Sequence, residues 1–363
     1  YNYLINGSKP VIVKAPGLVA PDFTWETVTQ MDFGFDASFL NNRLTGTFDW
    51  YRRNTKDMLV AGATLPATLG ASVPKSNSAD MKTIGWELSL GWNDRLENGF
   101  SYWVKGVLSD YQATITKYAG NDAGFYSQSD GDGKYYVGQK IGEIWGYHSN
   151  GLFQSDDEAA TIDQSELYAG KWGAGDVKYE DLDNDGKITK GEETIYNPGD
   201  KSIIGNKTPR YQFGITVGFD YKNFDFEMFW QGTGKRDYML SGAQFWGFTS
   251  QWDVPYTPAL DYWTETNTDA YFPRPGWQNG GNRVTSDRYL QSAAYGRLKN
   301  LTVGYTIPKN LTTKWGISRL RLYVTGENLL TITPLNDAFD PETLGGMTYP
   351  INRKVAIGLN LTL

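Results

Sequence analysis

The sequence predicts an all-β chain whose strands build a transmembrane antiparallel β-barrel with long extracellular loops. Three observations carry this. Residues 211–231 alternate apolar and polar side chains along two arms of about ten residues, the period of a strand with a different solvent on each face. The alternation recurs in nine segments. The connections between those segments are alternately short and long, as in outer-membrane barrels with tight periplasmic turns and extended outer loops.

The hairpin at 211–231 is the clearest. Tyr211, Phe213, Ile215, Val217, Phe219 and Tyr221 fall on one side, and Gln212, Gly214, Thr216, Gly218 and Asp220 on the other. After Lys222-Asn223 the pattern resumes, with Phe224, Phe226, Met228 and Trp230 opposite Asp225, Glu227 and Gln231. A barrel strand needs ~9–11 residues to cross the bilayer, with aromatic girdles at the interfaces.

The remaining segments follow in order. Residues 1–29 are irregular, with three prolines, Pro10, Pro16 and Pro21. Met31–Phe39 and Leu44–Tyr51 form a hairpin about Asn41-Asn42, residues that tolerate left-handed backbone. A loop is expected over 61–81. Ile84–Trp92 and Phe100–Asp110 are the third and fourth strands; Trp86, Leu88, Leu90 and Trp92 face outward, Glu87, Ser89 and Lys105 inward. Residues 119–205 form a long excursion, with a short strand expected at Val137–Tyr147 and a short helix around Asp156–Leu167. A second long loop spans 236–288. Arg297–Ile307, Leu320–Leu330 and Lys354–Leu363 complete the nine.

Composition narrows the function. The net charge of −7 makes nucleic acid an improbable partner. Mean hydropathy is −0.49, and no apolar run reaches the ~18 residues of a membrane helix. Barrels escape that measure because their apolar residues occupy only every second position. The 24 Tyr, 13 Trp and 41 Gly suit long strands with a crowded inner face. With no cysteine and one histidine, disulfides, thiolate sites and histidine-based metal centres are not expected. Nine strands is an odd count, an open sheet in lipid would leave bare edges, and Tyr1 starts mid-pattern without a signal peptide. The expectation is therefore a fragment, residues 1–363 forming the C-terminal part of a larger barrel.

Six stretches carry a resemblance: FTWETVTQMDFGFDASFLNNRLTGTFDWYRRNTKDML (23–59), GQKIGEIWGYHSNGLFQS (138–155), GDVKYEDLDNDGKIT (175–189), IIGNKTPRYQFGITVGFDYKNFDFEMFWQGTGKRD (203–237), YWTETNTDAYFPRP (262–275), and AAYGRLKNLTVGYTIP onward through LRLYVTGENLLTIT. In these the chain resembles the C-terminal half of the barrel of SusC/RagA-type TonB-dependent transporters of Bacteroidota. Family members end on an aromatic residue; Leu363 departs from that. The resemblance implies a 22-stranded, multi-pass barrel in the bacterial outer membrane. It also implies a plug domain and N-terminal strands not in this chain, a SusD-like surface lipoprotein as lid, and TonB-driven import of glycans or peptides.

One motif stands apart. Asp181, Asp183, Asp185, Gly186, Lys187 and Glu192 match a calcium loop, with three carboxylates at alternate positions, a turn glycine, a carbonyl at position seven and a bidentate acid at twelve. Such hard oxygen ligands select Ca2+ over zinc. With no flanking helices in the pattern, its expected role is structural: stiffening the outer excursion. The competing reading is an acidic surface turn. Asp130-Gly131-Asp132-Gly133 lacks further ligands and reads as a plain loop.

The loop aromatics Trp246, Trp252, Tyr256, Trp263 and Trp277 are candidates for contact with substrate or lid, against self-packing of a long loop. Lys105, Glu87, Asp220, Asp225, Glu227, Arg321 and Glu327 are expected to solvate the channel wall. His148 has no marked nucleophile or orienting acid near it in sequence and reads as a loop residue. No catalytic residue is expected. The rival readings are an extracellular calcium-binding β-protein acting on glycans, and a passive channel without a lid; burial of Phe213, Phe226 and Leu359 in a dry core would favour the former.

Overall fold

The computed structural model describes residues 18–20, 23–61, 74–119, 121, 124, 135–247, 249–276, 279–344, 349 and 351–363. Its main feature is one antiparallel sheet of nine strands laid side by side in chain order. The wall begins with β1 (Thr27–Phe39), β2 (Leu44–Ala61), β3 (Lys75–Arg95) and β4 (Ser101–Tyr118). Four short strands then leave it: β5 (Glu143–Tyr147), β6 (Ser149–Leu152), β7 (Val177–Tyr179) and β8 (Lys201–Asn206). The wall resumes with β9 (Arg210–Tyr221) and β10 (Phe224–Lys235), is interrupted by β11 (Asp237–Met239) and β12 (Leu290–Ser292), and ends with β13 (Tyr295–Thr306), β14 (Arg319–Ile332) and β15 (Lys354–Thr362). All nine expected crossings are strands of this sheet.

The register preserves the expected alternation. Phe33 lies opposite Trp50 and Phe35 opposite Phe48, with ring centroids 6.0 and 5.8 Å apart. Phe226 pairs with Phe219 on one side and Val303 on the other. Among the described residues the apolar face meets no second layer of protein: Val303, Val324 and Ile357 are exposed, and Leu359 is 61% exposed. Phe213 and Phe226 are only partly covered. An apolar belt of this extent facing outward fits lipid as its solvent.

The opposite face is polar. Thr302 and Thr325 hydrogen-bond across β13 and β14, and Arg321 makes a bidentate pair with Asp225. Trp103 also lies here, over Gly218 of the neighbouring strand, where a Cβ would strike the indole ring. This pairing gives the inner face its crowded character without leaving a large ring unsupported.

The connections obey the expected parity. Residues 40–43, 96–100 and 222–223 are short turns. Leu40, Asn41 and Asn42 adopt φ of 54°, 56° and 65°, so the left-handed turn forms where the asparagines stand. The fourth connection on this side, 307–318, carries a helical turn, Lys309–Thr312, where the sequence suggested only a turn. The long connections all lie at the other end.

Two differences from the sequence expectation concern length. β2, β3 and β4 run to 18, 21 and 18 residues, well beyond the ~9–11 of a crossing. The region taken as loop from 61 to 81 is in good part strand, since β3 begins at Lys75. Apolar alternation stops where lipid stops, but the ladder continues because polar residues pair equally well. Asp110, in an outward-facing register, is paired with Arg210 and marks the end of the greasy band. Beyond it, Ala79, Ile115 and Tyr118 form a small buried cluster. The helix expected around 156–167 is one turn, α1 (Asp156–Ala159), capped by Ser155 Oγ accepting from the Glu158 N–H.

Three of the long connections fold together into a cap with its own core. Tyr147, Val177, Tyr179 and Ile188 from the excursion after β4 pack with Leu240, Phe245 and Tyr289 from the loop after β10 and with Leu335 and Leu344 after β14. The third of these loops is tied to the wall by Arg297, 3% exposed, whose guanidinium reaches Asp340 at 2.5 Å and Glu342 at 2.9 Å. A bulge between Leu298 and Asn300 leaves Lys299 beside it, with Nζ 3.1 Å from Glu342.

Candidate functional site

The acid loop sits on the cap. Asp181 Oδ1 accepts from the Asn184 N–H at 2.6 Å and Oδ2 from the Gly186 N–H at 2.8 Å. Asp185 Oδ1 accepts from the Lys187 N–H at 2.8 Å. The loop is anchored by Ile188, fully buried, whose N–H donates to the Asp163 carbonyl at 2.7 Å. Thus the turn predicted from the acidic spacing forms, and the residue after the carbonyl position pins it to the core.

Its carboxylates do not gather as the motif implies. Oxygens of Asp181 and Asp183 come within 4.8 Å of one another and of Asp200, among the described residues. Asp185 and Glu192 are outside that group, and Glu192 lines a neighbouring cavity instead. Asp200 closes the loop: it is fully buried, and its two oxygens accept from the Leu182 and Thr189 N–H groups, each at 2.7 Å. The backbones of Gly191 and Gly199 approach so closely that neither has room for a Cβ, and this contact brings Asp200 back against the loop. Nothing in the twelve-residue spacing signals Asp200. The Asn197-Pro198-Gly199 turn before it is the sole hint that the chain folds back there.

Electrostatics separate the Asp181 and Asp183 carboxylates. Partial desolvation raises the Asp183 carboxyl, reinforced by the charges of Asp185 and Asp200. Asp181 feels desolvation as well, but the N–H groups of Gly186, Asn184 and Asp185 outweigh it and hold its carboxyl below the usual range. A divalent cation placed between these groups would relieve the repulsion that raises Asp183.

The loop aromatics divide sharply. Trp246 and Trp263 are 9% and 7% exposed, packed in the cap core, so neither offers an open ring face. This corrects their candidacy as contact residues; self-packing describes them. Trp252 is 84% exposed and Tyr256 47%, with Val254 and Leu260 also exposed beside them in sequence. Trp277 and Asp130–Gly133 lie outside the described residues.

His148 has the partners that the sequence did not reveal. Its Nδ1 is 2.7 Å from Asp287 and its Nε2 2.7 Å from Ser202 Oγ. Ser202 sits inside the β5–β8 ladder opposite Gly146, not on a turn that would present a nucleophile to backbone donors. The imidazole therefore works as a strut joining the excursion after β4 to the loop after β10. Of the wall residues, Asp225 and Arg321 pair with each other and Glu327 lies 3.5 Å from Lys354; Asp220 and Glu227 line the same groove as that first pair.

Comparison with known proteins gives a consistent result. A family model described as "TonB dependent receptor-like, beta-barrel" matches residues 1–329. TonB-dependent receptor P3 of Formosa agariphila is 30% identical over 380 residues, covering 95% of this chain and 35% of that protein. TonB-dependent receptor SusC of Bacteroides thetaiotaomicron is 26% identical, covering 93% and 32%. The chain thus spans about a third of the length of these curated relatives. Among solved structures, the RagAB peptide transporter superposes with a TM-score of 0.72 at 22% identity, covering 94% of this chain and 36% of that one.

Proposed function

The chain belongs to the TonB-dependent receptor-like β-barrel family of the bacterial outer membrane, and from that premise we propose that it supplies wall and outer cap to an importer of nutrient oligomers. The observation that carries this is the pairing of a lipid-facing belt with long connections gathered at a single end into a folded cap. A soluble glycan-acting protein would have to bury Leu359 and its neighbours; they are exposed. A passive channel has no need for so elaborate a cap.

In this reading the substrate enters above the polar face and passes inward when TonB, acting through the rest of the importer, opens the path. A SusD-like lipoprotein is the expected lid, and the exposed Trp252 and Tyr256 are suited to meet it, since large aromatics carry interface energy disproportionate to their number. The test is uptake of labelled glycan and peptide oligomers by cells with and without this protein, and with and without TonB. Uptake that persists without TonB would refute it.

The acid loop adds a structural calcium site to the proposal. Asp181, Asp183 and Asp200 would supply the carboxylates, and the ion would offset their mutual repulsion while stiffening the loop. Asp185, Lys187 and Glu192 would join only after a local rearrangement, because the cluster forms without them. Metal analysis of the purified protein tests this: absence of calcium at millimolar supply would argue for a plain acidic turn.

A further inference from the structure

We infer that the large cavity inside the cap is a subsite for a peptide segment and not for a sugar chain; this rests on the import reading above. The cavity lies between the excursion after β4 and the loop after β10 and holds about 730 Å³, within the ~300–1,000 Å³ of ordinary ligand sites.

Its walls decide the chemistry. Ile144, Leu167, Met239 and Val284 present aliphatic surface, which favours burial of apolar side chains and has little to offer a ring of hydroxyls. Three aromatic residues line it, and Tyr238 is half-buried against the cap core. Tyr147 is 3% exposed, its ring centroid 5.5 Å from that of Tyr179 and its other contact the Lys201 ammonium at 5.6 Å. Its hydroxyl donates to the Thr189 carbonyl at 3.3 Å. Trp145 meets Tyr136 edge-on, and its indole N–H donates to the Tyr136 hydroxyl at 3.3 Å. A sugar ring is held by laying its C–H face on an open aromatic face, and Tyr147 has none to give.

The charges point the same way. Lys201 is neutralised by Glu193 at 2.6 Å. The exposed side chains of Lys190, Glu192 and Lys207 line the cavity and form no ion pair among the described residues. Both signs thus stand unmatched around an apolar interior. A peptide brings both signs and apolar side chains together; a neutral glycan brings no charge, and a polyanionic one leaves Glu192 without a counter-charge.

The experiment measures uptake, by cells holding the intact protein in their outer membrane, of fluorescent octapeptides rich in Leu, Lys and Glu and of neutral and uronate oligosaccharides of similar mass. The expected result is peptide uptake, with Lys190→Glu plus Lys207→Glu lowering the apparent affinity for net-acidic peptides by about tenfold and raising it for net-basic ones. Both lysines are exposed, and equal surface labelling of the variant confirms that it folds and reaches the membrane. Oligosaccharide uptake without peptide uptake would overturn the inference and leave the import reading intact. Peptide uptake indifferent to the charge reversal would also overturn it. Uptake of neither class would remove the import reading and this inference with it.

Discussion

The wall and the cap use the same side chains in opposite ways. In the wall, Phe33, Ile357 and Leu359 are exposed, and no second layer covers them among the described residues. In the cap, Phe245, Tyr289 and Leu240 are shut away almost completely. One region has lipid for its solvent and the other water. A large apolar side chain is at home on the surface of the first and only in the interior of the second. The wall is held by its ladder of backbone hydrogen bonds, the cap by packing and by the hydrogen bonds of buried carboxylates such as Asp176 and Asp200.

Substitutions can test that division. The largest effect is expected in the cap. Phe245→Ala should cost about 3–5 kcal/mol, because the ring packs edge-on against Trp246, Phe272 and Tyr289 at 5.0–6.1 Å. Proteolysis should then cut the cap while the barrel keeps its resistance to heat and detergent; loss of both together would mean that wall and cap fold as one.

Next comes the lipid face. Val303→Arg should cost about 2–4 kcal/mol near the membrane midplane, and Thr302→Arg on the polar face less than about 1. Denaturant unfolding in lipid vesicles reads both. Equal costs would erase the distinction between the faces.

A middle-sized effect is expected for the acid loop. Calcium at a hundred times its dissociation constant should protect the loop by about 2.7 kcal/mol, visible as slowed amide exchange at Leu182 and Thr189. The protection should fade as pH drops through the Asp183 value, held above the ordinary aspartate range, and vanish once Asp181, held below it, is protonated. Without the ion the signs differ. Asp183, raised on folding, favours the folded loop as pH falls through its value, whereas Asp181, depressed, withdraws its support only at lower pH. Asp200→Asn should weaken calcium protection and Glu192→Gln should not; the reverse result would restore the motif-based ligand set.

The smallest effect on stability belongs to the exposed aromatics. Trp252→Ala with Tyr256→Ala should change unfolding by less than about 0.5 kcal/mol yet reduce co-purification of the proposed SusD-like lipoprotein by about tenfold. Unchanged co-purification would place the lid elsewhere.

How much of this was legible in the sequence follows from the same contrast. The wall was readable strand by strand because lipid on one side and water on the other impose a period of two from Tyr211 to Trp230. Its upper ends were not, since Lys75–Met81 pair in water, where no alternation is required. In the cap, nothing local distinguishes Trp263 from Trp252; whether a loop aromatic is inside or outside depends on how three distant segments meet. The acid loop was half legible: its turn is encoded in adjacent residues, but Asp200 arrives from a fold-back that twelve-residue spacing cannot describe. The partners of His148 lie 54 and 139 positions away, beyond any local pattern.

The overlong strands β2, β3 and β4 have a mechanical consequence. Their ladder carries on from the bilayer into the cap, where it supports the cluster of Ala79, Ile115 and Tyr118. On that flank β4 is tied to the excursion, the Ile115 N–H donating to the Gln139 carbonyl and the Ile141 N–H to the Ala113 carbonyl, each at 2.9 Å, so tilting there would break backbone hydrogen bonds. Any breathing of the mouth must therefore be lopsided, with a stiff shoulder at β2–β4 and the give concentrated where single chain segments, and not paired strands, join the cap to the wall.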